Sequence, residues 1–187
     1  MALLDAVRAV LVPSPALEAA ILTSVRRDEL PARKLLLQPG QVAQRLYFVE
    51  QGLVRGYSLH AGQEASSWFM AEGDFIISVV SFFTQQPSTE YLELLEPAVL
   101  LSISYAQLQE LYRQFPEFNV VGRVLTERYY VLSEQRAYQL RTLSATERYH
   151  QLVQEFPKLT QRIPQKLLAS YLGIAPETLS RLRAKRN

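Results

Sequence analysis

Glycines recur about every 11 residues between positions 40 and 73, and this spacing constrains the fold more than any other feature of the sequence. The turn pairs are Pro39-Gly40, Gln51-Gly52, Ala61-Gly62 and Glu72-Gly73. Between them lie short runs that are apolar or that alternate between apolar and polar residues. Turn signals at this spacing predict an antiparallel all-β sandwich or barrel. The segment 89–104 alternates in the same way and predicts two further strands, bent at Pro97.

Two apolar segments flank these strands. Residues 1–29 predict two helices that are separated by Pro13 and Pro15, the second of which begins at Ser14 or Pro15. The stretch 75–83 (FIISVVSFF) is continuously apolar, and periodicity leaves a buried strand and a short buried helix equally open. No apolar run approaches the roughly 20 residues of a transmembrane helix. The N-terminus also lacks the basic start of a signal peptide, so we expect a cytoplasmic protein without a membrane partner.

From Tyr105 the pattern becomes helical. Residues 105–116 predict a short helix, and 117–143, which contain no proline, predict one of roughly 40 Å. Its apolar residues recur at heptad-like spacing along two edges, which predicts a dimer interface made of Val121, Val124, Leu125, Val131, Leu132 and Tyr138. Arg128 and Gln135 interrupt the stripe, so an ordinary amphipathic helix in a monomer stays open as the alternative.

The C-terminal segment predicts a pair of short helices. Ser144 and Glu147 have the spacing of a capping box, which marks a helix start. Pro164 then opens a helix, Gly173 ends it, and Pro176 opens the next after a turn of three to four residues. Two short helices joined in this way are typical of a DNA-binding helix-turn-helix.

The charge is distributed unevenly along the chain. Residues 1–139 carry 11 basic and 15 acidic side chains, whereas residues 140–187 carry 9 basic and 3 acidic ones. The net charges of the two parts are therefore −4 and +6. A basic module of this size indicates a polyanionic partner, although a solvated basic tail without a partner is also open.

The composition argues against several classes of protein. With no cysteine and two histidines, the chain is not expected to hold disulfides, iron–sulfur clusters or a metal site, and we expect no cofactor. His60 is predicted at an exposed hairpin tip, where it would make a poor haem ligand. The sequence offers no set of nucleophile, base and orienting group and no glycine-rich phosphate loop, so we do not predict an enzyme.

Four stretches, in the order described, resemble the Crp/Fnr family of bacterial transcription regulators. Residues 46–55 (LYFVEQGLVR) look like the family's early strand-turn-strand, and 73–75 (GDF) look like the entry to its ligand cassette. The long helix stands where the family has its dimerisation helix. Residues 168–181 (LASYLGIAPETLSR) look like its helix-turn-helix and are the most specific, because the ETLSR run follows the turn glycine at the family's distance.

The resemblance implies an α+β chain with three parts. These are an effector domain with N-terminal helices and an antiparallel β-roll of the cyclic-nucleotide-binding-like jelly-roll type (1–115), a dimerisation helix (116–141) and a helix-turn-helix domain that lacks most of the family's wing (142–187). A cytoplasmic homodimer is implied that regulates transcription from an inverted-repeat operator in double-stranded DNA. RNA polymerase is a candidate partner, and the effector is unknown.

The second helix of the pair carries the candidate DNA contacts. Glu177, Ser180 and Arg181 follow the i, i+3, i+4 rule and so share one face, from which a carboxylate can bind cytosine and an arginine can bind guanine. Glu177 would also interact favourably with the dipole of its own helix. The candidate phosphate contacts are Lys166, Thr178, Arg183, Lys185 and Arg186.

The effector pocket departs from the family's pattern. Cyclic-nucleotide binders of the family place a Gly-Glu pair and, about ten residues later, an Arg-Ser or Arg-Thr pair; here these positions hold Ile77-Ser78 and Ser88-Thr89. The carboxylate that would hold the ribose and the guanidinium that would meet the phosphate are both missing. A buried phosphate without a cation is costly, so we predict no cAMP or cGMP site unless Arg128 of the long helix supplies the charge.

Two questions about this pocket and this chain stay open at the level of sequence. The apolar residues around it either bind a neutral ligand or fill the pocket themselves; they are Trp68, Ile76, Ile77, Val79, Val80, Phe82 and Phe83. The alternative to a transcription regulator is a ligand-binding β-roll protein whose basic C-terminus mediates protein interaction rather than specific DNA binding.

Overall fold

The structure, a computed structural model, describes residues 2–184. Its helices are α1 (Ala2–Arg8), α2 (Pro15–Ser24), α3 (Val79–Thr84), α4 (Tyr105–Gln114), α5 (Phe118–Thr142), α6 (Ala145–Glu155), α7 (Pro157–Arg162), α8 (Gln165–Leu172) and α9 (Pro176–Ala184). Its strands are β1 (Arg26–Leu30), β2 (Leu35–Leu37), β3 (Arg45–Gln51), β4 (Val54–His60), β5 (Gln63–Met70), β6 (Phe75–Ile76), β7 (Glu90–Leu94) and β8 (Ala98–Ser104). The predicted α+β class, with antiparallel sheets, a long helix and C-terminal helices, is confirmed.

The strands form two four-stranded sheets. One has the order β1-β8-β3-β6 and the other β2-β7-β4-β5. Strand β8 is central in the first sheet and pairs antiparallel with both β1 and β3. The two strands predicted to bend at Pro97 are β7 and β8, which lie in different sheets.

Two compact units make up the chain. The first contains the residues up to 56 together with 69–128, and the second contains 57–68 together with the residues from 129 onward. The boundary between the units therefore falls inside α5, and the distal part of the β4–β5 hairpin belongs to the second unit. Our division into 1–115, 116–141 and 142–187 stays a prediction.

The first unit has an apolar core drawn from its strands and short helices. Its fully buried side chains come from β3, β4, α3, β7 and β8 and include Phe48, Val49, Val54, Phe82, Leu94, Leu100 and Leu101. Ser14 caps α2 by accepting a hydrogen bond from the Leu17 N–H (3.2 Å), with Pro15 at the first helical position as predicted. One cation is unexpectedly buried: Arg55 of β4 is 1% exposed, and its Nη1 lies 3.9 Å from a carboxylate oxygen of Glu93 on β7.

The second unit is helical apart from the hairpin. Helix α6 packs against α7, α8 and α9, and α8 packs against α9. Buried apolar side chains from these helices and their connections form the core of the unit: Tyr149, Ile163, Leu168, Ala169, Leu172 and Leu179. The capping box at the start of α6 is present, with the Ser144 N–H donating to Glu147 Oε2 (2.8 Å) and the Glu147 N–H donating to Ser144 Oγ (3.3 Å).

One sequence prediction is corrected and one open question is answered. Residues 26–29 were predicted within a helical segment but belong to β1, because this edge strand completes its hydrogen bonds with the buried strand β8. For the stretch 75–83 the sequence left a strand and a helix open. The structure contains both, first the two-residue strand β6 and then helix α3. Within residues 2–184 no helix is long and apolar enough to cross a membrane.

Candidate nucleic-acid interface and effector site

The helix-turn-helix is built around Gly173. This residue has φ +66°, the left-handed conformation that glycine adopts without strain, and it ends α8. The Ile174 N–H then donates back to the Ala169 carbonyl (3.0 Å), which closes the turn. Leu172 and Leu179 are almost fully buried on the facing sides of α8 and α9. The turn and this packing set the position of α9.

Helix α9 presents its predicted base-reading residues to solvent. Glu177, Ser180 and Arg181 are exposed, whereas Leu179 is fully buried on the other side of the helix. Arg181 donates through Nη2 to the hydroxyl of Thr178 (3.3 Å), a contact that is exposed and readily exchanged for another acceptor. The structure thus brings the three predicted side chains to one accessible face.

The predicted phosphate contacts divide into two groups. Lys166 at the start of α8 and Arg183 on α9 are exposed, and Thr178 is half-buried. Lys185 and Arg186 lie outside the described residues, as does the end of the chain on which the prediction of a reduced wing depends.

Two arginines that sequence reasoning missed hold the end of α8. Arg136 of α5 stacks on the ring of Tyr171, with Cζ 3.5 Å from the ring centre, and donates to the Tyr171 carbonyl (2.6 Å). Arg148 of α6 donates to the Leu172 carbonyl (3.1 Å) and to the Leu143 carbonyl (2.5 Å). Burial lowers the pKa of the Arg136 guanidinium and raises the pKa of the Tyr171 phenol. The last carbonyls of a helix lack partners within the helix, and cations placed there bond them and interact favourably with the helix dipole. The two arginines therefore fix the end of α8 to α5 and α6.

A closed polar network occupies positions that the sequence predicts to form the effector cassette. Ser78 donates its hydroxyl to a carboxylate oxygen of Glu90 (2.7 Å), and the hydroxyls of Ser78 and Ser88 lie 3.1 Å apart. The Glu90 N–H donates to Ser88 Oγ (2.9 Å). Both serines are at most 5% exposed. Sequence reasoning named the two serines but missed Glu90, whose carboxylate bonds Ser78 and whose backbone bonds Ser88.

The other predicted pocket residues are dispersed. Ile77 is half-buried, and Thr89 and Arg128 are exposed. The apolar residues of this region also divide: Ile76 and Phe82 are buried, whereas Val79, Val80 and Phe83 are between 52% and 74% exposed. The three exposed side chains lie on the outer side of the six-residue helix α3, so the expectation that they line or fill the pocket is wrong.

The predicted dimer stripe on α5 is accessible along its second half. Val131 and Tyr138 are 52% and 59% exposed, and Val124, Leu125 and Leu132 are half-buried. Val121 is 2% exposed, because it packs into the core of its own unit beside Phe118, so its assignment to the interface is wrong. Three more apolar side chains of α5 that sequence reasoning missed are exposed: Val120, which lies one turn before Val124 on the stripe, and Tyr130 and Leu140, which lie off it.

Comparisons with known proteins concern both units. Residues 27–115 match the family model of the cyclic nucleotide-binding domain. CLP, described as a c-di-GMP-responsive global regulator of Xanthomonas campestris, is 21% identical with a TM-score of 0.71, covering 92% of this chain and 91% of that one. FixK2 from Bradyrhizobium japonicum is 17% identical with a TM-score of 0.75, covering 86% of this chain and 83% of that one.

A third solved structure, of a Crp/Fnr-family transcriptional regulator from Eubacterium rectale, is 15% identical. Its TM-score is 0.72, and the match covers 92% of this chain and 83% of that one. A search of curated proteins found no match. At these identities the likenesses establish the fold that the proteins share.

Proposed function

We propose that this chain, which has the fold of the Crp/Fnr regulators and carries a cyclic nucleotide-binding domain over residues 27–115, is a homodimeric, DNA-binding transcription regulator. The observation that carries the proposal is the geometry of α9. Glu177, Ser180 and Arg181 stand exposed on one face of a helix whose other side is anchored by the buried Leu179. A helix presented in this way fits the major groove of B-DNA.

The charge of the C-terminal segment supports a nucleic-acid partner. Residues 140–187 carry a net charge of +6. Among them, Lys166 and Arg183 are exposed, as are the predicted base-reading residues of α9. Lysines and arginines that neutralise phosphates give affinity and orientation, while base contacts give specificity. The exposed stripe on α5 supports the dimer, since a two-fold dimer reads an inverted repeat whose half-sites are about one helical turn apart.

The effector site of this regulator is proposed not to bind cAMP or cGMP. The Ser78, Ser88 and Glu90 network supports this, because a carboxylate stands among the residues that correspond to the phosphate-binding cassette. A cyclic phosphate at this place would meet a like charge instead of a cation, and like charges at close range disfavour binding.

The test is selection of bound DNA from a random pool, followed by titration of the selected site with two matched variants. Arg181→Ala should weaken binding by about 1–3 kcal/mol and relax the preference at one base pair of each half-site. Arg183→Ala, on the same helix, should weaken all sequences about equally and reduce the salt slope by about one. Equal behaviour of the two variants would contradict base reading by Arg181. If no sequence is enriched, the alternative of a protein-interaction tail replaces DNA binding.

A further inference from the structure

The end of α8 is held by side chains of α5, the helix that carries the predicted dimer stripe. The Arg136 guanidinium stacks on the ring of Tyr171, with Cζ 3.5 Å from the ring centre, and Nη2 donates to the Tyr171 carbonyl (2.6 Å). One turn further along α5, Leu140 reaches the turn glycine, since a Cβ added to Gly173 would lie 3.8 Å from Leu140 Cδ2. Two successive turns of α5 therefore contact the place where α8 ends and the turn to α9 begins.

The side of α5 that makes these contacts faces away from the dimer stripe. Successive residues of an α-helix are rotated by about 100°, so Arg136 lies about 140° around the helix from Val131, and Leu140 lies about 180° from it. Tyr138, seven residues after Val131, returns to within about 20° of the stripe. Val131 and Tyr138 are 52% and 59% exposed, whereas Arg136 is half-buried. The helix thus has an accessible side for a second copy and another side that is bonded to the helix-turn-helix.

A second arginine fixes the short connection between α5 and α6. Leu143 and Ser144 join the two helices. Arg148 of α6 donates to the Leu143 carbonyl (2.5 Å) and to the Leu172 carbonyl at the end of α8 (3.1 Å). All of these groups lie in the second compact unit, as do α9 and the part of α5 from residue 129 onward. The second half of the stripe and the reading helix therefore belong to one unit, with bonds across the connection as well as along it.

We propose that Arg136 is a positioning residue that sets the spacing between the two DNA half-sites. The inference rests on the proposed homodimer and its DNA binding. In a two-fold dimer formed along the stripe, the separation of the two copies of α9 depends on how each α9 is placed relative to its own α5. One extra base pair moves a half-site by about 3.4 Å along the DNA axis and rotates it by about 34° around that axis. A helix-turn-helix held to α5 by Arg136 resists this displacement, whereas one tethered through residues 143 and 144 without that contact follows it.

The test uses the selected half-sites, separated by the selected spacer or by one base pair more or less, together with a single half-site. Arg136→Ala removes both the stack and the bond to the Tyr171 carbonyl. Tyr171→Leu removes the stack but keeps the carbonyl and an apolar side chain, and it carries the test if Arg136→Ala does not fold. Arg141→Ala is the matched control, because it removes the same charge from an exposed position of the same helix. All four full chains are titrated at one salt concentration, since affinity for DNA depends on salt.

We expect the original chain and Arg141→Ala to prefer the selected spacer by about a hundredfold, and the two test variants by about tenfold or less. The tenfold difference corresponds to about 1.4 kcal/mol. Affinity for the single half-site should be unchanged in both test variants, because the reading face of α9 is intact.

A spacer preference that is the same in the test variants as in the original chain would overturn the proposal. This includes the result expected from a merely structural role, in which binding to every DNA, the single half-site included, falls by the same factor. Failure of the proposed function would look different, because the original chain would then select no inverted repeat or would sediment as a monomer.

Discussion

At the scale of single residues, Gly52 is a position where neighbouring backbone atoms leave no room for a side chain. It has φ +108°, and a Cβ there would lie 2.6 Å from the Cβ and 2.9 Å from the Cα of Ala98. The residue turns β3 into β4 and donates its N–H to Glu72 (2.8 Å). An alanine here would be strained by the left-handed conformation and would also overlap with Ala98. Because the two costs add together, Gly52→Ala should destabilise the folded chain by about 2–4 kcal/mol.

Gly62 provides the matched control for this prediction. It also has a positive φ, +76°, in the two-residue turn of the β4–β5 hairpin, but a Cβ there would have no atom within 4 Å. Gly62→Ala should therefore cost only about 1–2 kcal/mol, the price of the left-handed conformation. Urea unfolding of both variants measures the difference. Similar losses for the two would show that the close approach to Ala98 relaxes freely.

Restoration of the effector site is the second prediction at this scale. Ser78→Glu and Ser88→Arg supply the two groups that a cyclic nucleotide needs. An arginine at 88 would lie near the Glu90 carboxylate, since the Ser78 hydroxyl contacts both Ser88 Oγ and that carboxylate, and would pair with it. The double variant should thus bind cAMP weakly, and adding Glu90→Gln should strengthen binding by about tenfold or more, since a charged hydrogen bond contributes ~1.5–3 kcal/mol. Calorimetry with cAMP and cGMP measures both, with no binding expected for the original chain.

Tight binding of cAMP by the original chain would contradict this interpretation. It would require that the Ser78–Glu90 bond opens and that a cation reaches the phosphate from another element. Arg128 is the candidate that sequence reasoning named, and it lies exposed on α5. Arg128→Ala would then abolish the binding.

Single residues also show what the sequence could and could not predict. The exposure of Glu177 and Arg181 follows from helical spacing alone, and Gly173 and Ser144 act where their residue types predict a helix end and a helix start. The hydrogen bonds from Ser170 to the Glu64 carbonyl and from Arg136 to the Tyr171 carbonyl could not be predicted, because these partners lie 106 and 35 residues away along the chain. A hydroxyl or a guanidinium carries no sign of a tertiary partner at such separations.

At the scale of elements, the capping box of α6 makes the stability of that helix depend on pH. Hydrogen bonds from Ser144 hold the pKa of Glu147 below its ordinary value. A carboxyl whose pKa is lowered by folding stabilises the folded state above its unfolded pKa of ~4.3, and this contribution disappears as the pH falls through the folded value. Glu147 should therefore stabilise α6 at neutral pH and lose this effect in acid.

Two substitutions separate the charge of Glu147 from its hydrogen bond. Glu147→Gln keeps an acceptor for the Ser144 N–H and should melt close to the original chain at pH 7, but with a flatter dependence below about pH 4.3. Glu147→Ala removes the acceptor and should melt lower at pH 7. Circular dichroism at pH 7 and at a pH below about 4.3 measures the melting temperatures. An unchanged acid dependence in Glu147→Gln would assign that dependence to another carboxyl.

Helices and strands were predicted well where a local sequence pattern determines them, and less well where pairing with a distant strand determines them. Strand β1 (RRDEL) has a charged composition that favours no strand, and it forms because β8 offers it a complete ladder. Its charges are accommodated by exposed ion pairs, Arg26 with Asp28 and Arg27 with Glu29. The apolar stretch 75–83 divides after Ile76, since β6 pairs with β3 for only two residues.

At the scale of the whole molecule, the division of charge along the sequence predicted a basic module at the C-terminal end, and the second compact unit contains that module. The sequence did not indicate that residues 57–68 of the β-roll join the same unit. That membership depends on bonds between a hairpin and a helix far apart in the chain, which no periodic pattern records.

Dimerisation through α5 is the prediction that belongs to this scale. Val131 and Tyr138 are seven residues apart, so they lie on one side of the helix, and both are more than half exposed. A two-fold interface brings the apolar stripes of two copies together. A charge introduced on the stripe is therefore placed close to the same charge of the other copy, and the two repel each other. Val131→Glu combined with Tyr138→Glu should give a monomer in analytical ultracentrifugation and should reduce affinity for an inverted repeat to that for a single half-site. Ser133→Glu, on the exposed helix between them but off the stripe, should leave the dimer intact. A dimer that survives the double substitution would place the interface on another surface.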